Sequence, residues 1–278
     1  MKLHEFNALG SGAKPLIHLA HANGFPPQVY ARMLAPLLAN YRVISFCARP
    51  LWEQPPNPEN FEQWSQLADD LILELKEIGA SNVIGIGHSM GGTATMYAAV
   101  KRPKLFSRLI YIDPVFLSPS RLWLLRTARL LGFENRAPLV RAALRRKRGW
   151  QSAAAAYDYL KAKPLFKEWP DDVFRAYIDN VLEVASDGGV VLKYTPEWEA
   201  RIFQTTPTDV WNYVGLPQQP TLVLRGEHTN TFTVESARVF ERSCPRAQHV
   251  TVAGTGHLLA QEKPDEVGKL IVEFLKRS

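Results

Sequence analysis

Cysteine is nearly missing from this chain: Cys47 and Cys244 are the only two in 278 residues. That count excludes a disulfide-stapled scaffold and a cysteine-rich zinc site, and two buried thiols in a cytosolic protein are the expectation. There is also no apolar run of the roughly 18 residues that a bilayer-spanning helix requires. Residues 1–7 are polar, with no apolar stretch ahead of a cleavage site, so no secretory signal is expected and the expected location is cytoplasmic. No two of the seven histidines stand at metal-ligand spacing, and no metal or other cofactor is implied. Internal repeats are absent, and low complexity is confined to the four alanines at 153–156.

What is present is an ordinary globular composition, 46% hydrophobic and 22% charged, long enough for a large buried core. The net charge of +6 is not spread evenly. Between Phe116 and Trp150 lie Arg121, Arg126, Arg129, Arg136, Arg141, Arg145, Arg146, Arg148 and Lys147, against Glu134 alone. That segment carries +8 and the rest of the chain −2, so the basicity belongs to one segment. Arg141, Arg145 and Arg148 fall at i, i+4 and i+7 of a helix, a spacing that predicts a solvated outer face. An acidic substrate group or anionic lipid are the sharper alternatives for that face. Nucleic acid is not an expected partner, and neither is stable membrane association.

The first half alternates strand-like and helix-like segments: strands over 15–20, 42–46, 82–87 and 108–112, helices over 29–38, 61–78 and 90–101. This β-α-β-α rhythm predicts a mostly parallel sheet with helices on both faces. It breaks after Asp113-Pro114. Residues 116 to about 185 read as helices only, and Asp187-Gly188-Gly189 reads as part of the return to the core. The rhythm resumes with a strand at 221–224, a helix over 234–242, a strand at 248–252 and a helix over 264–276. A helical insertion within one α/β sheet domain is the simplest organisation.

Gly87-His88-Ser89-Met90-Gly91-Gly92 lies between a buried strand and a helix. In G-x-S-x-G the glycines let the chain turn sharply and lift the serine hydroxyl off the sheet, while the Met90 amide at the helix start faces a developing oxyanion. Ser89 is therefore the candidate nucleophile. Its base is predicted at His257, in the glycine-flexed loop Gly254-Thr255-Gly256-His257 after the last strand. His18 and His249 lie within strands, His4 is terminal, and the position of His88 in the turn points it away from the serine.

These motifs resemble those of the α/β-hydrolases over nearly the whole chain. His21-Ala22-Asn23-Gly24-Phe25-Pro26 is similar to the family's H-G-x-P oxyanion loop, with two residues inserted between His and Gly. Residues 87–92 are similar to its nucleophile elbow, and Gly256-His257 with Glu262 and Pro264 to its histidine loop. The resemblance implies an α/β-hydrolase core over 1–115 and 211–278. It also implies a helical cap over 116–210, inserted after the family's sixth strand. It implies further that Ser89 is the nucleophile, His257 the base, and the amides near Phe25 and Met90 the oxyanion hole, with Asn23 and Gly24 as alternatives to Phe25.

The acid departs from the pattern. Where the family places Asp, this chain reads Gly226-Glu227-His228-Thr229-Asn230. Asn cannot hold a negative charge beside an imidazolium. Asp113 at the end of the preceding strand, a position haloalkane dehalogenases use, is the first choice; Glu227, or no acid at all, are the alternatives. The expected reaction is acyl transfer from a small ester-like substrate through Ser89 to water. Thioester, lactone or carbon–carbon bond hydrolysis stays open. A ligand-binding protein with weak turnover is the rival, motivated by the missing Asp. The cap aromatics, Trp123 and Trp169 among them, are the candidates for tuning substrate choice.

Overall fold

The computed structural model describes residues 3–7 and 14–277; Met1 and Lys2, which open the polar N-terminal stretch, lie outside the described residues. The chain begins with β1 (Leu3–Glu5), β2 (Leu16–Ala20), the short α1 (Ala31–Leu34), β3 (Arg42–Phe46), α2 (Ser65–Glu77), β4 (Val83–His88), α3 (Met90–Lys101) and β5 (Phe106–Ile112). It then leaves the sheet through α4 (Pro119–Leu130), α5 (Pro138–Leu144), β6 (Gly149–Trp150), α6 (Ala153–Lys161), α7 (Asp171–Val181), β7 (Leu182–Val184), β8 (Val190–Leu192) and α8 (Pro196–Gln204). It returns with β9 (Thr221–Gly226), α9 (Val234–Ser243), β10 (Gln248–Val252), α10 (Leu259–Glu262) and α11 (Pro264–Arg277).

The main sheet has seven strands in the order β1-β3-β2-β4-β5-β9-β10. Every neighbouring pair is parallel except β1 with β3. Its central strands are apolar without polar alternation, because helices cover both faces. Ile84, Ile86, Ile110, Ile112, Leu222 and Leu224 point into one core, with α1 and α11. Val83, Leu109, Tyr111 and Val223 point into the other, with α2 and α3. Each such side chain, fully buried, contributes about 1.5–3 kcal/mol. The excursion follows the fifth strand along this chain, which takes the place of the sixth in the family's numbering.

Three local readings need correction. β1 is an added antiparallel edge strand, three half-buried residues with too short a pattern to announce itself. The stretch 29–38 is a run of short helical turns, since Pro36 within it has no N–H for an α-helical hydrogen bond. The excursion is also not purely helical: β6, β8 and β7 form a small antiparallel sheet. Asp187-Gly188-Gly189 is the hairpin turn between β7 and β8, with the Gly189 amide on the Asp187 carboxylate, so it belongs inside the excursion rather than to the return.

Candidate active site

Ser89 sits between the end of β4 and the start of α3 at φ 55°, ψ −118°, a left-handed backbone that a non-glycine residue adopts only when its surroundings impose it. Its neighbours explain the imposition. A Cβ on Gly91 would lie 2.1 Å from the Ala20 carbonyl oxygen, and one on Gly87 would lie 2.4 Å from that of Gly91. Only glycine lets β2, β4 and α3 come this close. The Ser89 amide is tied to the Ile112 carbonyl at 2.9 Å, which holds the turn against β5.

Three sequence-predicted residues meet here. The Ser89 hydroxyl donates to His257 Nε2 at 2.8 Å, and His257 Nδ1 donates to Asp113 Oδ2 at 2.6 Å. Asp113 is wholly buried yet fully partnered: its Oδ1 accepts from the Gly226 amide at 3.2 Å and its Oδ2 from the Thr229 hydroxyl at 2.6 Å. Three donors converge on a carboxylate without solvent exposure. Thr229, from the loop where the family usually places its acid, thus holds the carboxylate that β5 supplies.

The two alternatives for the acid lie apart. Glu227 turns its Oε2 to the Gly254 amide at 2.8 Å and to His228 at 3.5 Å, and is half-exposed. Asn230 is exposed, and its carbonyl accepts from Arg121. Glu262 caps the histidine loop by accepting from the Gly256 amide at 2.6 Å; burial raises its proton affinity above the ordinary carboxyl value.

Sequence reasoning missed what lies behind His257. His88 turns away from Ser89 and donates from Nε2 to the His257 carbonyl at 2.9 Å. Its Nδ1 accepts from the Tyr30 hydroxyl at 2.8 Å, and that hydroxyl accepts from the Ala22 amide at 3.1 Å. Burial, with the neighbouring His257, lowers the His88 pKa to about 3, so it stays neutral with one donor and one acceptor nitrogen. A continuous relay therefore joins the 21–26 loop to the backbone of His257. The only signal in the sequence is a polar ring at the end of an otherwise apolar strand.

The 21–26 loop departs from expectation in one respect. The Phe25 amide donates to the Ala22 carbonyl at 3.3 Å, closing a turn through Gly24 at φ 81°, and is engaged rather than free to meet an oxyanion. Gly24 lies beside the Tyr194 hydroxyl. The Asn23 amide has no partner among the described residues, and the Met90 amide opens α3, where no intrahelical acceptor exists. The Asn23 side chain accepts from the Tyr194 hydroxyl at 2.6 Å and donates to the Glu199 carbonyl at 3.2 Å, so the excursion grips this loop. His21 is a buried strut, donating from Nδ1 to the Ala22 carbonyl and accepting at Nε2 from the Ala48 amide, each at 2.9 Å; burial holds its pKa at about 4.

The aromatics of the excursion divide. Trp169 is buried, its ring 5.7 Å from Phe25 and 5.8 Å from Tyr177. Trp123, on α4, is 68% exposed. Neither cysteine is in a disulfide; Cys47 is buried and Cys244 half-buried.

Comparison with known proteins identifies the family and the fold. The model of the alpha/beta hydrolase family matches residues 18–270. A hydrolase of Bacillus subtilis, YugF, itself uncharacterised, is 22% identical over 274 residues, covering 93% of this chain and 89% of that one. Strigolactone esterase D14 of Arabidopsis thaliana is 30% identical over 115 residues, 40% of this chain; the match spans only 43% of that relative's length. Among solved structures, E-2-(acetamidomethylene)succinate hydrolase superposes with a TM-score of 0.80 at 20% identity, covering 99% of this chain and 94% of that one. The family match runs across the sheet, the serine turn and the histidine loop alike: the chain belongs to the alpha/beta hydrolase family.

Proposed function

We propose that this hydrolase cleaves a carboxylic ester-type bond through an acyl-serine intermediate. One observation carries the reading: the unbroken path from the Ser89 hydroxyl through both ring nitrogens of His257 to the buried Asp113 carboxylate. The Ser89 oxygen bonds to the ester carbonyl carbon as its proton passes to His257 Nε2. Asp113 steadies the imidazolium so formed. The carbonyl oxygen, now an anion, is met by the Met90 amide and the Asn23 amide. Collapse breaks the bond to the alcohol, which leaves with the proton from His257. Water then repeats the sequence and releases the acid.

The contacts of Asn23 with Tyr194 and Glu199, and the packing of Trp169 on Phe25 of the same loop, support the excursion as a cap over this site. The missing Asp near residue 230 motivates the ligand-binding alternative, and the contact of Asp113 with His257 supports turnover over it. A panel of p-nitrophenyl esters of rising chain length tests the reading. Wild-type turnover of at least one ester should vanish in Ser89→Ala and nearly vanish in His257→Ala, because nucleophile and base act as a unit. Full activity in either variant refutes its assignment.

A further inference from the structure

α4 is an amphipathic helix turned inside out. Of its twelve residues only Leu122 is buried. Trp123 is 68% exposed, Leu124 63%, Leu130 88%, and Leu131 just beyond it 62%. Helical spacing puts these four on one side of the helix, within roughly a third of its circumference. The apolar exposure continues past the turn, with Leu139 at 61% on α5. Among the described residues, seven of the fifteen exposed large apolar side chains fall within residues 123–144. Scattered exposed leucines need no explanation, but such a concentration does.

The charge of the same stretch says what covers it. This is the segment that carries +8 in a chain whose remainder is −2. Arg146 and Arg148 pair with Glu199 and Glu197. Arg121 and Arg126 anchor α4 by donating to the carbonyls of Asn230 and Thr208, and the Arg121 charge also acts on the Glu235 carboxylate. Arg136, Arg141, Arg145 and Lys147 form no ion pair among the described residues; the Arg136 guanidinium lies over the Phe133 ring and the Lys147 ammonium over Trp150 and Tyr159. Pairing this face with its copy on a second molecule would set two strongly basic segments together, which disfavours a symmetric dimer through it. An exposed tryptophan and leucines in a segment rich in cations without ion-pair partners match a headgroup layer over hydrocarbon.

We propose that α4, its turn and α5 form a docking surface for an anionic phospholipid bilayer, with Trp123, Leu124, Leu130 and Leu131 entering the interface and Arg136, Arg141 and Arg145 meeting the headgroups. Among the described residues no helix is long and apolar enough to cross a membrane, so attachment is peripheral and reversible. The inference stands apart from the proposed ester chemistry, since binding is read without turnover.

Co-sedimentation of the full chain with vesicles tests it, comparing phosphatidylcholine alone with a mixture of phosphatidylcholine and phosphatidylglycerol. The expected result is capture by the anionic vesicles only, weakened when salt is raised to about 0.5 M. The triple variant Trp123→Ser, Leu130→Ser, Leu131→Ser and the double variant Arg141→Glu, Arg145→Glu should each lower partitioning by about tenfold or more while keeping activity on a soluble ester. A wild-type chain that stays in the supernatant overturns the proposal. So does undiminished capture of the triple variant, which would reduce the interaction to surface charge alone. Retention on immobilised polyglutamate without capture by vesicles would make the face a site for an acidic protein and overturn it equally.

Discussion

Replacing Asp113 with Asn keeps the size of the side chain and removes one charge, which makes it a sharp probe of the site. The native carboxylate accepts three hydrogen bonds, from His257 Nδ1, the Gly226 amide and the Thr229 hydroxyl. Asn has one oxygen and one NH2 to offer the same donors. If the oxygen faces His257, the NH2 meets the Gly226 N–H, donor against donor, in a pocket without solvent exposure. If the NH2 faces His257, it selects the tautomer with the proton on Nε2, the nitrogen that must accept from Ser89. Either arrangement costs a buried hydrogen bond, and both lose the anion that stabilises the imidazolium. The expected fall in kcat is roughly 10²–10⁴, or about 3–5.5 kcal/mol of transition-state stabilisation. Initial rates on a p-nitrophenyl ester at pH 8 measure it, with circular dichroism to confirm the fold. Glu227→Gln should keep kcat within about tenfold of wild type, since Glu227 is turned to the Gly254 amide. Asn230→Asp should add nothing, because Asn230 is exposed and away from His257. A silent Asp113→Asn, or an activating Asn230→Asp, refutes the argument.

Tyr30→Phe removes the hydroxyl between the Ala22 amide and His88 and leaves both unpartnered in the core; we expect about 1–3 kcal/mol of lost stability in urea unfolding, with kcat falling more than KM rises, and an unchanged kcat would disconnect the relay from the site. Trp169→Ala should change the preference for acyl chain length, whereas Trp123→Ala, on the exposed side of α4, should not; identical selectivity in both would remove Trp169 from substrate choice. Glu74, whose Oε1 is buried without a partner, has its pKa raised by burial, and further by Asp70, from 4.5 to about 8. Between those values the unfolded chain releases a proton that the folded chain keeps, so stability should fall as pH rises through this window, by at most about 1.4 kcal/mol per pH unit. Glu74→Gln should flatten that slope, and an unaltered slope in urea unfolding at pH 5 and pH 8 would show that Glu74 does not set it.

Much of this fold was legible because its signals are local. The apolar strands before Ser89 and Asp113, the glycines at 87 and 91 and the glycine-rich loop before His257 each carry their meaning within a few residues. What escaped the sequence depends on contacts far apart along the chain. Asp113 and Thr229 are separated by 116 residues, and only the parallel pairing of β5 with β9 brings them together. The sequence could rank Asp113 among candidates but could not see its partners. His88 looked like a bystander because its role is to hold a carbonyl 169 residues away. Phe25 was placed at the oxyanion by likeness to a shorter loop, and the two added residues let its amide close a local turn instead. The small sheet β6-β8-β7 was missed because its strands have only two or three residues each, too few to show an alternation.

The central claim is that Ser89 becomes acylated with His257 as its base. Intact-mass measurement after incubation with a fluorophosphonate, followed by peptide mapping, tests it most directly. The account predicts a single adduct on the peptide carrying Ser89, absent from Ser89→Ala and formed at least about 10³-fold more slowly in His257→Ala. An adduct on any other residue, or labelling of Ser89→Ala at the wild-type rate, would contradict it.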